Sequence, residues 1–76
     1  MYITNDGKAF WSPNDRQFVK DLQNASYSPT NSTIRFMEDV ARRAHIQTGR
    51  TIRTGKIMDF VQDLKDAGLL IQVNVS

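Results

Sequence analysis

The sequence predicts a small α+β domain in which three helices cover one face of a three-stranded antiparallel sheet. Three observations lead to this prediction. A turn-forming Asp-Gly pair separates two short β-prone runs near the N-terminus. Apolar residues in the middle of the chain recur with helical spacing, and the C-terminal end alternates apolar and polar residues. A lone C-terminal strand must pair, and the N-terminal hairpin is the partner available to it, so we expect one domain spanning residues 1–76.

The first element is a β-hairpin over residues 1–11. The dipeptide Asp6-Gly7 is typical of a two-residue turn, because both residue types tolerate positive φ angles. That turn predicts the cross-strand pairs Ile3–Phe10 and Tyr2–Trp11. Two interpretations of the second pair stay open. It forms either a surface on which bases stack or, more commonly in proteins, part of the packing around the sheet.

The first helix is expected to begin at Ser12-Pro13. Serine caps free N–H groups, and proline suits the first helical position because its missing donor costs nothing there. Its apolar face contains Phe18, Val19, Leu22 and Ala25.

A second start signal, Ser28-Pro29, introduces the second helix, for which Asn31 and Ser32 are alternative starts. Gly49 follows it as a left-handed C-cap. Its buried stripe is predicted to contain Ile34, Met37, Val40, Ala41 and Ala44, with Phe36 at the edge of that stripe. On the opposite face, three oppositely charged pairs have i,i+4 spacing: Arg35–Asp39, Glu38–Arg42 and Asp39–Arg43.

The third helix is predicted to begin near Thr54, with Gly55 and Lys56 in its first turn, and to end at Gly68. It has the clearest helical period in the chain, carried by Ile57, Phe60, Val61, Leu64 and Ala67. A half-buried strand follows over residues 69–75. Its apolar side, expected to face the helices, contains Ile71, Val73 and Val75.

Composition argues against an enzyme, a cofactor and a metal site. The chain has no cysteine and one histidine, His45, so neither a thiolate site nor a paired histidine site can form. No phosphate-binding loop with P-loop spacing is present. Asp59, Asp63 and Asp66 share one face of the third helix, which is usual for a solvated surface. With no signal-like or membrane-spanning run, we expect a soluble, cytoplasmic protein without membrane contact.

Basic residues are concentrated in one region. The net charge is only +2, but six of the ten basic residues lie between positions 35 and 56, opposed there by two acidic residues. Phosphate binding uses backbone N–H groups at a helix start, hydroxyls and unpaired cations. The candidate site for it comprises Arg43, Arg50, Thr51, Arg53, Thr54 and Lys56. A solvated connector whose arginines keep the domain soluble is the alternative, and both interpretations stay open.

Two resemblances bear on function. Residues 51–70 resemble the recognition helix of winged-helix domains, with the sequence TIRTGKIMDFVQDLKDAGLL. Within residues 34–75 this resemblance implies a helix-turn-helix core and DNA binding, with Thr51, Arg53, Thr54 and Lys56 at the groove-facing end. Residues 41–70 are also similar to the paired helices of ribbon-helix-helix repressors, through the Gly-Arg-Thr-Ile turn at positions 49–52.

The sequence therefore favours a small, non-enzymatic DNA-binding regulator of transcription, of the kind that phages and plasmids encode. The alternative is a compact protein-binding module that inhibits or adapts a larger host protein. Its expected anchors are the large apolar side chains Tyr2, Trp11, Phe36 and Met58. A homodimer formed through the hairpin or the C-terminal strand edge is compatible with either function.

Overall fold

The fold follows the predicted order of elements. A computed structural model describes residues 1–26 and 32–73, and in chain order its elements are β1 (Tyr2–Thr4), β2 (Ala9–Phe10), α1 (Asp15–Ala25), α2 (Thr33–Thr48), α3 (Ile57–Asp66) and β3 (Leu70–Gln72). Both neighbours of β1 are antiparallel to it, and the sheet order is β2-β1-β3. The predicted α+β class and three-stranded sheet are confirmed. Ser28-Pro29, Asn31 and Val75 lie outside the described residues.

The hairpin register differs by one residue from the predicted one. Thr4 N–H donates to the Lys8 carbonyl at 2.9 Å, and Gly7 N–H donates to the Thr4 carbonyl at 3.0 Å. The loop thus contains three residues, with Gly7 left-handed at φ +88°. In the resulting register Tyr2 lies opposite Phe10, so the predicted Tyr2–Trp11 and Ile3–Phe10 pairs are wrong.

The buried side of β3 is also the opposite of the predicted one. Tyr2 faces the helices, and its ring stacks on Phe18 with centroids 4.4 Å apart. Because Leu70 lies two residues along this face, opposite Thr4, it is buried. Alternation then turns Ile71 and Val73 to the outer face, where both are exposed. The strand is also shorter than the predicted 69–75, and Leu70 is the one buried residue of β3.

Helix α1 begins two residues later than predicted. Asn14 is its N-cap, and the Asn14 side chain accepts a hydrogen bond from the backbone N–H of Gln17. The Ser12 hydroxyl donates instead to a carboxylate oxygen of Asp21 at 2.6 Å. Phe18 is completely buried, as the sequence predicted.

Helix α2 begins at the Ser32 cap, one of the predicted alternatives, and ends at Gly49, which is left-handed as predicted. Phe36 is buried, whereas Ile34 is exposed, so both were placed wrongly. Residues two positions apart point about 200° apart on a helix, so one of them must leave the core, and the larger aromatic side chain is buried. Arg42 pairs with Asp39 at i,i+3 and 2.8 Å, in place of the predicted i,i+4 pairs.

Helix α3 has the predicted core stripe, since Phe60, Val61 and Leu64 are buried. It begins at Ile57, so Gly55 and Lys56 precede the helix and are not part of its first turn. Lys56 is the N-cap and has an extended backbone.

The helices pack with α1 in contact with both α2 and α3, while α3 also packs on β3. The connection between α2 and α3 spans residues 49–56, which is longer than the three or four residues of a helix-turn-helix turn. This connection does not confirm the helix-turn-helix core, which stays a prediction. Within the described part of the chain, every helix is too short or too polar to cross a bilayer.

Candidate functional site

The connection between α2 and α3 leaves the end of α2 along a hydrogen-bonded path. The Thr48 hydroxyl donates to the Ala44 carbonyl at 2.8 Å and accepts from the Arg50 N–H at 3.2 Å. His45 Nδ1 lies 3.2 Å from the Arg50 carbonyl oxygen. These contacts fix the backbone of Arg50 against the last turn of α2 and leave its side chain exposed.

Ile52 attaches the middle of the connection to the core. It is buried between two exposed neighbours, Thr51 and Arg53. The alternation of exposed and buried side chains is what an extended segment on the surface of a core produces. The connection is thus a packed segment with its polar side chains outward.

Arg53 and Asp63 form a clamp that joins the connection to α3. The backbone N–H and Nε of Arg53 each donate to Asp63 Oδ2 at 2.9 Å, and Nη2 donates to Oδ1 at 2.9 Å. Asp59 lies beside the same guanidinium, with Nη1 and Oδ1 3.7 Å apart. This is the bidentate geometry in which arginine binds carboxylates best.

The clamp changes the acidity of its members. The hydrogen bonds from the Arg53 side chain and backbone lower the pKa of Asp63 to about 2. The hydrogen bond to Asp63, together with the charge of Asp59, raises the pKa of Arg53. The Asp63 side chain is 13% exposed, whereas that of Arg53 remains 59% exposed, so solvent screens the guanidinium more than the carboxylate. Arg53 has no acidic residue at i,i+4 spacing, but Asp63, ten positions further along the chain, is its partner, so Arg53 is not one of the unpaired cations.

The other predicted residues of the connection reach solvent. Arg50, Thr51, Gly55 and Lys56 are exposed, and Thr54 is half-buried. Among residues 1–26 and 32–73, neither Arg50 nor Lys56 lies within ion-pair distance of a carboxylate. Lys56 makes no side-chain capping hydrogen bond, so the first turn of α3 begins without a side-chain acceptor from its N-cap.

Arg43 belongs to a different part of the surface. It lines a cavity of about 350 Å³ between α2, α1 and the hairpin loop, whose other walls include Phe18, Leu22 and Phe36. None of residues 50–56 lines this cavity. The structure therefore brings Arg50, Thr51, Arg53, Thr54 and Lys56 onto one segment and leaves Arg43 outside it.

Two of the four expected protein-binding anchors are buried and two are exposed. Tyr2 and Phe36 are buried, so the expectation that they are exposed is wrong for both. The Tyr2 hydroxyl donates to Asp15 at 2.5 Å, and burial followed by this hydrogen bond raises the pKa of Tyr2 to about 12. Trp11 and Met58 are exposed as expected.

The sequence analysis missed two features, one at the connection between α2 and α3 and one on the outer face of the sheet. Asp63 is the partner of Arg53 from ten positions away, and an i,i+4 search does not reach that far. The outer face of the sheet carries exposed Ile71, Val73 and Trp11, which follows from the one-residue change in hairpin register and from the side of β3 that is buried. The Asn5-Asp6-Gly7 sequence was the available signal, because it also suits a three-residue loop with glycine last.

Comparison with known proteins adds no assignment. No family model matches the sequence, and no curated protein and no solved structure shows significant similarity to it.

Proposed function

We propose that this protein binds DNA through the connection between α2 and α3, with Arg50, Thr51 and Lys56 contacting phosphates. The observation that carries the proposal is the Arg53–Asp63 clamp. It holds an otherwise irregular segment in one conformation, and cations on an ordered segment lose less conformational entropy when they bind phosphate. In this proposal Arg53 positions the segment and is not a contact residue.

The acidic face of α3 supports phosphate contacts near its start better than contacts along its length. Asp59 and Asp63 both lie against Arg53, so their charges are partly compensated where the connection joins the helix. Asp66, near the end of α3, receives a hydrogen bond from the uncharged Gln62 and forms no ion pair within residues 1–26 and 32–73. Phosphate would therefore approach the positive end of the helix dipole and avoid the far end.

The proposed contacts are to the DNA backbone. Contacts to phosphate supply affinity and register but carry no base sequence directly. A helix-turn-helix arrangement in which α3 also reads bases, and a role in transcription regulation, remain predictions.

A titration of a double variant tests the proposal. The variant R50A/K56A should bind a DNA duplex roughly tenfold more weakly at low salt, because two phosphate contacts are lost. The slope of log K against log salt concentration should fall by about 2 units in magnitude, or about 0.9 for each contact. Fluorescence anisotropy of a labelled duplex at several salt concentrations measures both quantities.

The matched control is R16A/K20A, which removes one arginine and one lysine that are exposed on α1. It changes net charge by the same amount, so a general charge effect would weaken both variants equally. The proposal fails if the wild type shows no salt-sensitive binding, or if the two double variants lose the same affinity.

The protein-binding alternative is favoured by one observation, the exposed apolar side chains on the outer face of the sheet. A partner that covers this face would leave the connection between α2 and α3 free, so the two functions do not compete for one surface.

A further inference from the structure

The outer face of the sheet carries two apolar rows, one that crosses the three strands and one that lies just beyond their ends. Ile3 lies directly opposite Ala9 on one side and Ile71 on the other, which forms the first row. Met1 and Val73 exchange two backbone hydrogen bonds, at 2.9 and 2.8 Å, in the next position along the sheet. Trp11 follows Ala9 by two residues and completes the second row by alternation.

These six positions are apolar and carry no charged side chain, in a chain in which 24% of residues are charged. Trp11 is 72% exposed, Ile71 61% and Val73 38%. Together the exposed parts amount to on the order of 400 Å², which is comparable with the largest apolar patches that monomeric proteins present to water.

The shape and charge of this face restrict what can cover it. Trp11 directly follows β2, one edge strand, and Ile71 lies on β3, the other edge strand, so an extended peptide added to one edge would leave the other exposed. Proteins that bind single-stranded nucleic acids combine aromatic rings, on which the bases stack, with cationic side chains that contact the phosphates, and none of these six side chains is cationic. The matching partner is an apolar surface without charged side chains, and the outer face of the sheet is itself such a surface.

We propose that two copies of this chain associate face to face through the outer side of the sheet. A two-fold axis through the patch would bring each row against the partner's rows, with the sheets about 10 Å apart as in β-sandwiches. Since the apolar patch is about half of the roughly 800 Å² that each partner buries in a standard interface, the dimer is weak, with dissociation in the micromolar to millimolar range. The inference is independent of DNA binding.

The test uses the single tryptophan of the chain, Trp11. Sedimentation velocity of the wild type should show the mass rising toward that of a dimer between micromolar and millimolar concentrations. The fluorescence emission of Trp11 should shift to shorter wavelength over the same range, because the indole leaves water. The variant Ile71→Lys should remain monomeric with constant emission and an unchanged far-ultraviolet circular dichroism spectrum.

The matched control is Ile46→Lys, which places the same charge at an equally apolar position on α2 that is 76% exposed. It should dimerise like the wild type. If Ile71→Lys fails to fold, Trp11→Lys serves in its place, with sedimentation as the readout, because Trp11 lies outside the core.

Three results of the sedimentation experiments would overturn the proposal: a wild type that stays monomeric at millimolar concentration, a dimer that survives both charge insertions on the sheet, or a dimer that Ile46→Lys disrupts equally. A change in Trp11 emission that single-stranded DNA or an added peptide causes, without self-association, would assign the face to that ligand and also overturn it.

Discussion

At the scale of single residues, the Arg53–Asp63 clamp decides how the basic segment is presented. One carboxylate accepts three hydrogen bonds from one arginine, two from the side chain and one from the backbone. The backbone bond matters most for shape, because it attaches the main chain of the connection to the side of α3. Without this bond a solvated ion pair alone would join the part of the connection after Ile52 to α3, and exposed ion pairs contribute little.

The clamp predicts a particular pH dependence of stability. Folding lowers the pKa of Asp63 from its ordinary 3.8 to about 2, so the folded protein holds this proton less tightly than the unfolded chain does. The ionised carboxylate therefore stabilises the fold above about pH 4, and the stabilisation is lost as pH falls toward 2. Asp63→Asn should lower Tm at neutral pH, and the difference from the wild type should shrink between pH 4 and 2.

Thermal unfolding followed by circular dichroism across this pH range measures the effect. Asp66→Asn is the control, because it makes the same change on the same helix at a residue that Gln62 contacts. Equal effects of the two substitutions at neutral pH would contradict the role assigned to Asp63.

Single residues also show where the sequence was insufficient. The sequence identified Arg53 as a basic residue just before the third helix. Its partner, Asp63, lies near the other end of that helix, so the connection must fold back along α3 to reach it. Contacts of this kind depend on how a loop folds back, and neither periodicity nor local spacing contains that information. Phe36 and Ile34 point to nearly opposite sides of α2, so only one of them can face the core, and it is the larger Phe36 that is buried.

At the scale of elements, the end of α3 shows how local sequence sets the direction of β3. Gly68 N–H donates to the Lys65 carbonyl and Leu69 N–H to the Leu64 carbonyl, both at 3.0 Å. This is a Schellman motif, in which Gly68 has the left-handed φ of +76°. It turns the chain from α3 directly into the strand that pairs with β1.

Replacing this glycine should therefore cost stability for a backbone reason alone. A Cβ at Gly68 would meet no atom within 4 Å, so Gly68→Ala tests only the left-handed conformation. We expect a loss of about 1 kcal/mol, or roughly 4–8 °C in Tm for a domain of this size. Chemical denaturation and thermal melting both measure it.

Gly55→Ala is the matched control, because Gly55 also has open space around it but does not have a positive φ. Its stability should stay the same or rise slightly, since alanine reduces the freedom of the unfolded chain. A loss at Gly55 as large as that at Gly68 would contradict this explanation.

Element boundaries were predictable where one signal acts alone and less so where two compete. Gly49 and the stripe of α3 were predicted correctly because capping and periodicity agree there. The hairpin was predicted with the wrong register because Asn5-Asp6-Gly7 fits both a two-residue and a three-residue loop. The one-residue difference in register places Phe10, and not Trp11, on the same face of the hairpin as Tyr2.

At the scale of the whole molecule, the fold separates two surfaces of opposite character. The connection between α2 and α3 carries exposed cations and is held by a clamp. The outer face of the sheet carries exposed apolar residues without charge. The helices cover the inner face of the sheet only, so the two surfaces can act independently.

The sequence predicted that the C-terminal strand joins the hairpin in a three-stranded antiparallel sheet, because a lone apolar strand has few places to pair. It did not predict which hairpin strand the C-terminal strand joins, which is β1. It did not predict the uncovered apolar face. The side chains that a small sheet exposes depend on the register of every strand. Because the predicted β1–β2 register and the predicted buried side of β3 were both wrong, the sequence analysis did not place Ile71, Val73 and Trp11 together on the outer face.

The most direct test of DNA binding by the connection between α2 and α3 locates the DNA contact on the protein. Two-dimensional ¹H–¹⁵N NMR spectra of the wild type, recorded at low salt while a short duplex is added, report every backbone amide. DNA binding by the connection between α2 and α3 should give the largest shift changes over residues 50–58, which include the start of α3, and little change in β1, β2 and β3. Changes centred on the sheet, or no changes at low salt, would contradict it.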